Sequence, residues 1–460
     1  MDPFTPAVEQ AAAVRRREVK ADELAEMYLG RIERLNPALN AFWLTTPELA
    51  REAAWRADRE HGDGPLAGVP VSVKDLSSIA GYPTTVGSRA FQDQVFDWDG
   101  FAVARLRAAG AALLGKTTCS EFGTRPHTEH GLHGAARNPW NREHTTGGSS
   151  GGAAGALAAG LCALSHGSDG GGSIRIPAAC CGVVGLKPTR GLISSGPVFG
   201  EGWEGLSTEG AIARTVADAA LGLDAMQGHL PGDPFWAEPE PSYLALARPA
   251  TRPLRVAFTT DAGEVPVDAE VRAAVEATAG RLAELGHPVT EGGPDTSAFR
   301  MCFPLIVTGG VASIPVPEDR EGLLDPVNQG IRDTARYVLA GHYVQAVSML
   351  RMASRQVVAF WDRVDVLVTP TLTRPAPRLN TLGVDPGAAG EEYLDWLSFT
   401  YPYNATGQPA LSLPLAVTAG GLPIGVQLVG APRAEGTLLA LGAQLEEAMP
   451  WRERRPPGVD

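Results

Sequence analysis

The stretch Glu143–Pro177 reads EHTTGGSSGGAAGALAAGLCALSHGSDGGGSIRIP. Two clusters of glycine and serine flank a segment that is almost wholly small or apolar. Ser149 and Ser173 stand 24 residues apart. A disordered glycine–serine linker would be polar and repetitive, and this segment is neither. Gly151–Gly160 predicts a helix packed very closely against its neighbours. Residues 161–169 predict a buried strand, and the strand leads into a second turn bearing Ser173.

Upstream, the segment GVPVSVKD (68–75) alternates Val69, Val71 and Val73 and ends in Lys74-Asp75, which predicts a short strand with a lysine at its end. Further strands are predicted at 111–117, 182–188, 254–259, 365–371, 410–417 and 424–430. Helices are predicted at about 100–110, 215–226, 267–286, 322–360 and 434–449. Near the N-terminus, Leu24, Met27, Tyr28, Ile32 and Leu35 make one apolar helical face. Pro-rich stretches at 230–254 and 370–390 predict surface loops, and 290–325 matches no recognisable pattern. Helix and strand alternate throughout, so the expected class is α/β around one large sheet. Length alone suggests two or three domains in 460 residues, but no linker is visible, and one domain is expected.

Composition bounds the function. The chain is 44% apolar and 20% charged, with a formal net charge of −13. Nucleic-acid binding needs clustered lysine and arginine, so no nucleic-acid partner is expected. Five cysteines (Cys119, Cys162, Cys180, Cys181, Cys302) form no C-x-x-C pair and read as reduced, buried thiols. The N-terminus carries no signal-peptide pattern, and no apolar run reaches the ~20 residues of a membrane span. A cytoplasmic protein with no membrane partner is the expectation.

Several readings compete for the glycine–serine region. It lacks the Lys-Ser/Thr of a phosphate loop, and no G-x-G-x-x-G is present. Gly147–Gly151 matches G-x-S-x-G, but a nucleophile elbow needs a preceding strand, and NPWNREHTT (138–146) reads as a loop. His127, His130 and His133, with Glu129 and His144, could ligate zinc. Gly131 and Gly134 interrupt any helix there, so loop histidines are the better reading and no metal is expected. The last reading joins Lys74, Ser149 and Ser173. A serine hydroxyl needs a base, and a neutral lysine can serve. At a pKa of about 10.4, only about one lysine in ~2,500 is neutral at pH 7, a cost of roughly 4–5 kcal/mol. Burial lowers a lysine pKa by up to ~3–5 units. The competing reading of Lys74 is a surface lysine beside Asp75.

At these residues the chain resembles a known family. GVPVSVKD (68–75), NPWNREHTTGGSSGG (138–152), SDGGGSIRIPAACCGVVGLKPT (168–189), STEGAIARTVADAA (207–220) and NATGQPALSLPLAVTAGGLPIGVQLVG (404–430) together resemble the amidase signature family, over about 20–450. The resemblance implies one domain over 1–460 with a signature core at about 65–220, and a mixed β-sheet flanked on both sides by helices. It implies a Ser–Ser–Lys triad: nucleophile Ser173, bridging Ser149 held in a cis peptide, and base Lys74. It also implies an oxyanion hole from backbone N–H groups of Gly170, Gly171, Gly172 and Ser173. No cofactor is implied.

Around this triad, Ser150 is expected to support Ser149 by hydrogen bonding. Asp169 and Arg175 either anchor the nucleophile turn or form a plain ion pair. Phe199 and Trp203 either wall an acyl pocket or belong to the core. The turn departs from the family's more usual Thr-Asp-x-Gly-Gly, and the additional Gly170 is expected to loosen the oxyanion hole. The expected activity is hydrolysis of small-molecule amides, and of carbamates (urethanes) or esters, by a monomer or homodimer. Two alternatives stand beside it. One is the glutaminase A subunit of a tRNA-dependent amidotransferase, although DPVNQGIRDTARYVLAGHYVQA (325–346) looks more like general amidases. The other is a catalytically dead binding protein, disfavoured because all three triad positions are filled.

Overall fold

Val69, Val71 and Val73 have no exposed surface, and neither does the intervening Ser72. The alternation in this segment therefore does not mark a solvated face. Both faces are covered, and the Ser72 hydroxyl is satisfied by Ser165 Oγ at 2.8 Å. The segment is a central strand of an eleven-stranded sheet. The computed structural model describes residues 1–59, 64–129, 131–250, 252–385 and 388–459.

The strands are β1 (Phe42–Thr45), β2 (Pro70–Lys74), β3 (Ala112–Thr117), β4 (Leu164–Asp169), β5 (Val184–Lys187), β6 (Thr208–Ala213), β7 (Val256–Phe258), β8 (Val289–Glu291), β9 (Val366–Pro370), β10 (Ala410–Val417) and β11 (Pro423–Gly430). Their order is β1-β3-β2-β4-β6-β5-β10-β11-β9-β7-β8. β2 pairs in parallel with β3 and β4, whereas β6 pairs antiparallel with β4 and β5. The fold is α/β with a single mixed sheet flanked by helices, as expected.

The helix Gly151–Ala158 follows the first serine turn, and every residue in it is buried. A Cβ on Gly152 would stand 2.5 Å from the Thr118 carbonyl oxygen and 2.6 Å from its nitrogen. Only glycine lets this helix lie so close to the backbone beside β3.

Three expectations needed correction. The strand placed at 161–169 begins at Leu164, because Gly160 takes a positive φ of 66° and ends the helix with a turn. The single helix placed at 322–360 is four pieces: a 3₁₀ turn Glu318–Leu323, helices Pro326–Ala335 and Ala340–Val358, and a 3₁₀ turn Ala359–Asp362. Asp325 caps the second piece by accepting from the Val327 N–H at 3.0 Å, with Pro326 at its first turn. The unplaced region 290–325 holds the helix Phe299–Ala312.

Candidate active site

The parallel strand β2 ends at Lys74, and the neighbouring β4 ends at Asp169. The two strand ends open on the same edge of the sheet, and the chain beyond β4 turns immediately through Gly170–Ser173. Ser149 enters from the turn before the helix Gly151–Ala158, and its peptide bond to Gly148 is cis. The Ser150 N–H donates to the Ser173 carbonyl at 3.2 Å, which fastens the two serine turns together.

Lys74 is fully buried. Its Nζ donates to Ser149 Oγ at 2.7 Å, to Ser168 Oγ at 2.9 Å and to the Ser168 carbonyl at 3.2 Å. Three acceptors for three N–H bonds describe a satisfied ammonium. Once that ammonium loses a proton, the carbonyl can only go on accepting. A hydroxyl must then reverse, and Ser149 O–H is placed to donate into the new lone pair. Burial lowers the Lys74 pKa to about 8, against the opposing fields of Cys119, Asp169 and Glu209. The neutral amine is therefore far more accessible at pH 7 than in free lysine.

Ser173 is 7% exposed, and its Oγ takes part in no hydrogen bond among the described residues. Directly before it, Asp169 organises the turn. Its Oδ1 accepts from the Gly172 N–H at 2.7 Å and its Oδ2 from the Ile174 N–H at 3.2 Å. Arg175 donates to both carboxylate oxygens at 2.9 Å, from Nε and from Nη2. Burial pushes the Asp169 carboxyl up, but the Arg175 guanidinium, with Lys187 and Asn404, more than offsets it, and the group sits far below the usual carboxylate range. Arg175 is itself held by Asn404 Oδ1, Gln427 Oε1 and the Thr400 carbonyl at 2.6, 2.8 and 2.9 Å. The pair is a buried clamp on the turn; Asn404 and Gln427 stand 229 and 252 residues from Arg175, so no local pattern ties them to it.

Two expectations about this turn change. Gly172 cannot contribute its N–H to an oxyanion, because Asp169 already accepts it. The N–H groups of Gly170, Gly171 and Ser173 have no acceptor among the described residues. Ser150 does not support Ser149 through its side chain; its Oγ donates to the Ser168 carbonyl at 3.2 Å, one of the acceptors of Lys74. Gly170 has a second explanation. A Cβ there would stand 2.9 Å from Trp203 Cζ3, so the glycine makes room for an indole against the turn.

A cavity of ≈ 950 Å³ opens beside this turn. Ser168 and Thr208 line it, together with Trp203, Phe96, Trp98 and Tyr343. Trp203 is half-buried and packs on the core, whereas Phe199 is 60% exposed and sits at the rim against Trp98. The helix Phe299–Ala312 adds Thr308 and Gly309 to the walls, and it sets Phe303 against Gly171. Sequence reasoning missed Ser168 and Glu209, both near Lys74. Ser168 is adjacent to Asp169 in the motif and could have been flagged; Glu209 is placed only by the β4–β6 pairing, opposite Ser168.

The described histidines do not converge. His127 Nε2 meets the Tyr393 hydroxyl at 3.0 Å, His133 stacks on Trp43, and His144 Nδ1 meets the Ala376 carbonyl at 2.8 Å. His130 lies outside the described residues. Among the described residues no group of three or more metal-ligating side chains is assembled, and no helix is long and apolar enough to cross a membrane. The five cysteines are buried and unpaired.

Comparison with known proteins gives consistent results. A family model described as Amidase matches residues 23–439. The 6-aminohexanoate-cyclic-dimer hydrolase of Paenarthrobacter ureafaciens is 37% identical, over 99% of this chain and 97% of that protein. A solved structure of 6-aminohexanoate cyclic dimer hydrolase complexed with substrate superposes with a TM-score of 0.93 at 36% identity, covering 100% of both chains. A bacterial aryl acylamidase superposes with a TM-score of 0.89 at 26% identity, over 97% of each chain.

Proposed function

This chain belongs to the amidase signature family and is a hydrolase of amide C–N bonds, and from that premise we propose that it acts through an acyl-enzyme on Ser173. The observation that carries the proposal is the buried contact of Lys74 Nζ with Ser149 Oγ at 2.7 Å, beside the turn that presents Ser173. Neutral Lys74 takes the Ser149 proton while Ser149 takes that of Ser173. Ser173 Oγ is thereby freed to attack the carbonyl carbon. The N–H groups of Gly170, Gly171 and Ser173 receive the developing oxyanion, and each such donor is typically worth about 3–4 kcal/mol. The relay then runs backwards and protonates the leaving nitrogen. Water releases the acid by the same route, with the Ser173 proton restored.

The same tetrahedral chemistry serves esters and carbamates, so these are included in the proposed substrate range. The relatives act on 6-aminohexanoate cyclic dimer and on aryl acylamides, and the aromatic cavity suits an acyl or anilide body of comparable size. Assay of the purified chain on an anilide, a carbamate and glutamine tests this reading. Hydrolysis of the anilide by the chain alone is expected. Glutaminase activity appearing only with a partner, and no anilide cleavage, would replace it with the amidotransferase reading.

A further inference from the structure

Glu209 lines the cavity but has no part in the proton relay. It lies on β6 opposite Ser168, with 18% of its side chain accessible. Its Oε1 accepts from the Ser77 hydroxyl at 2.5 Å and lies 3.5 Å from His166 Nε2. Its Oε2 takes no hydrogen bond from any described residue. Burial pushes this carboxyl up, but His166, Ser77 and Lys74 together hold it below the ordinary range, so it is ionised at neutral pH. An ionised oxygen beside aromatic walls is costly to leave uncompensated when a substrate displaces the water.

The rest of the lining offers no cation to meet it. Among the described residues that line the cavity there is no lysine or arginine. Of the two other lining glutamates, Glu201 accepts from the Gly205 N–H at 2.6 Å, and Glu204 pairs with Arg351 outside the lining. The aromatic faces of Trp203, Trp98 and Phe96 add a surface that attracts cations. We infer that the cavity selects amides carrying a primary ammonium, with Glu209 Oε2 as its acceptor. The inference rests on the amidase reading and deepens it. A substrate carboxylate in this cavity would meet repulsion, and a neutral chain would strand the Glu209 oxygen.

Two experiments decide it. The first uses the 4-nitroanilides of 5-aminopentanoic and hexanoic acid, which differ only by ammonium for methyl. A kcat/KM at least about tenfold higher for the ammonium substrate is expected, the worth of one charge-assisted hydrogen bond. Glu209→Gln should remove that ratio. Equal or faster hydrolysis of the hexanoyl compound by the wild type overturns the inference, as does an equal loss on both substrates in the variant. The second is calorimetric titration of the wild-type chain with phenethylammonium and with 2-phenylethanol, which needs neither turnover nor a variant. The ammonium should bind at least about tenfold more tightly. Equal binding overturns the inference even if the anilides are cleaved. If neither anilide is cleaved while the ammonium is preferred, the site stands and the catalytic proposal fails.

Discussion

Lys74 Nζ lies 2.7 Å from Ser149 Oγ, and both residues are shut away from solvent. The relay needs the amine neutral, and burial lowers its pKa to about 8. The active form is therefore the deprotonated one, so activity is gained as pH rises through about 8 and lost below it. The expected profile of kcat/KM climbs about tenfold per pH unit below that point and levels above it. A stopped or continuous assay from pH 6 to 10 checks this, and a profile that falls between pH 7 and 9 contradicts it. Lys74→Arg should be inactive throughout, since a guanidinium does not give up its proton.

The two serines should separate by readout. Ser173→Ala removes the nucleophile, so turnover is expected to fall by on the order of 10⁴-fold or more, and labelling by a fluorophosphonate should disappear. Ser149→Ala removes only the proton bridge, and a loss of about 10²–10⁴-fold is expected. That variant should still become labelled, slowly. Mass spectrometry of the intact chain distinguishes the cases, and labelling retained in Ser173→Ala would overturn the assignment.

The Asp169–Arg175 clamp should matter to folding as well as to rate. Removing one partner leaves the other buried and unpaired, so Arg175→Met is expected to cost about 3–5 kcal/mol. The shift of the urea midpoint measures it. Because the Asp169 carboxyl is held far below its unfolded value, its contribution is present above pH ~4 and fades only as acid protonates the native group. Asp169→Ala should also release the Gly172 N–H and lower kcat more than it raises KM.

Gly170 and Trp203 should be coupled. A Cβ at 170 would stand 2.9 Å from the indole, so Gly170→Ala alone must displace the ring or the turn. A loss of about tenfold in kcat/KM is expected, on the scale of a modest core overpacking. Adding Trp203→Ala should remove much of the penalty due to the alanine. A double-mutant cycle on kcat/KM tests this, and strict additivity would show that the two positions do not meet.

What the sequence disclosed followed locality. The helix Gly151–Ala158, β2 with its terminal Lys74, and both serine turns are short local patterns, and the alternation or smallness of their residues can be read in place. The helix Phe299–Ala312 was missed because Pro304, Gly309 and Gly310 look like breakers. Those glycines answer to tertiary contacts: a Cβ at 309 would press on the Tyr343 ring, and one at 310 on Trp203. The helix predicted over 322–360 was overextended because its polar–apolar spacing continues across Arg336–Leu339, where the chain leaves the helical conformation. Glu209, Asn404 and Gln427 lie inside segments that carry the family resemblance, but nothing local marks what they touch. Their positions come from strand order and long-range packing, which a linear pattern does not record.

The residues proposed for bond cleavage fall between positions 74 and 173, whereas much of the cavity wall comes from 199–209 and 299–343. These are different stretches of the gene, meeting only in three dimensions. Substrate preference can therefore change in the later stretches, which hold Glu209, Trp203 and Tyr343, with the proton relay left untouched. A chimaera carrying a relative's 299–343 segment on this scaffold would exchange the wall those residues form while keeping this chain's Glu209 and its pH behaviour.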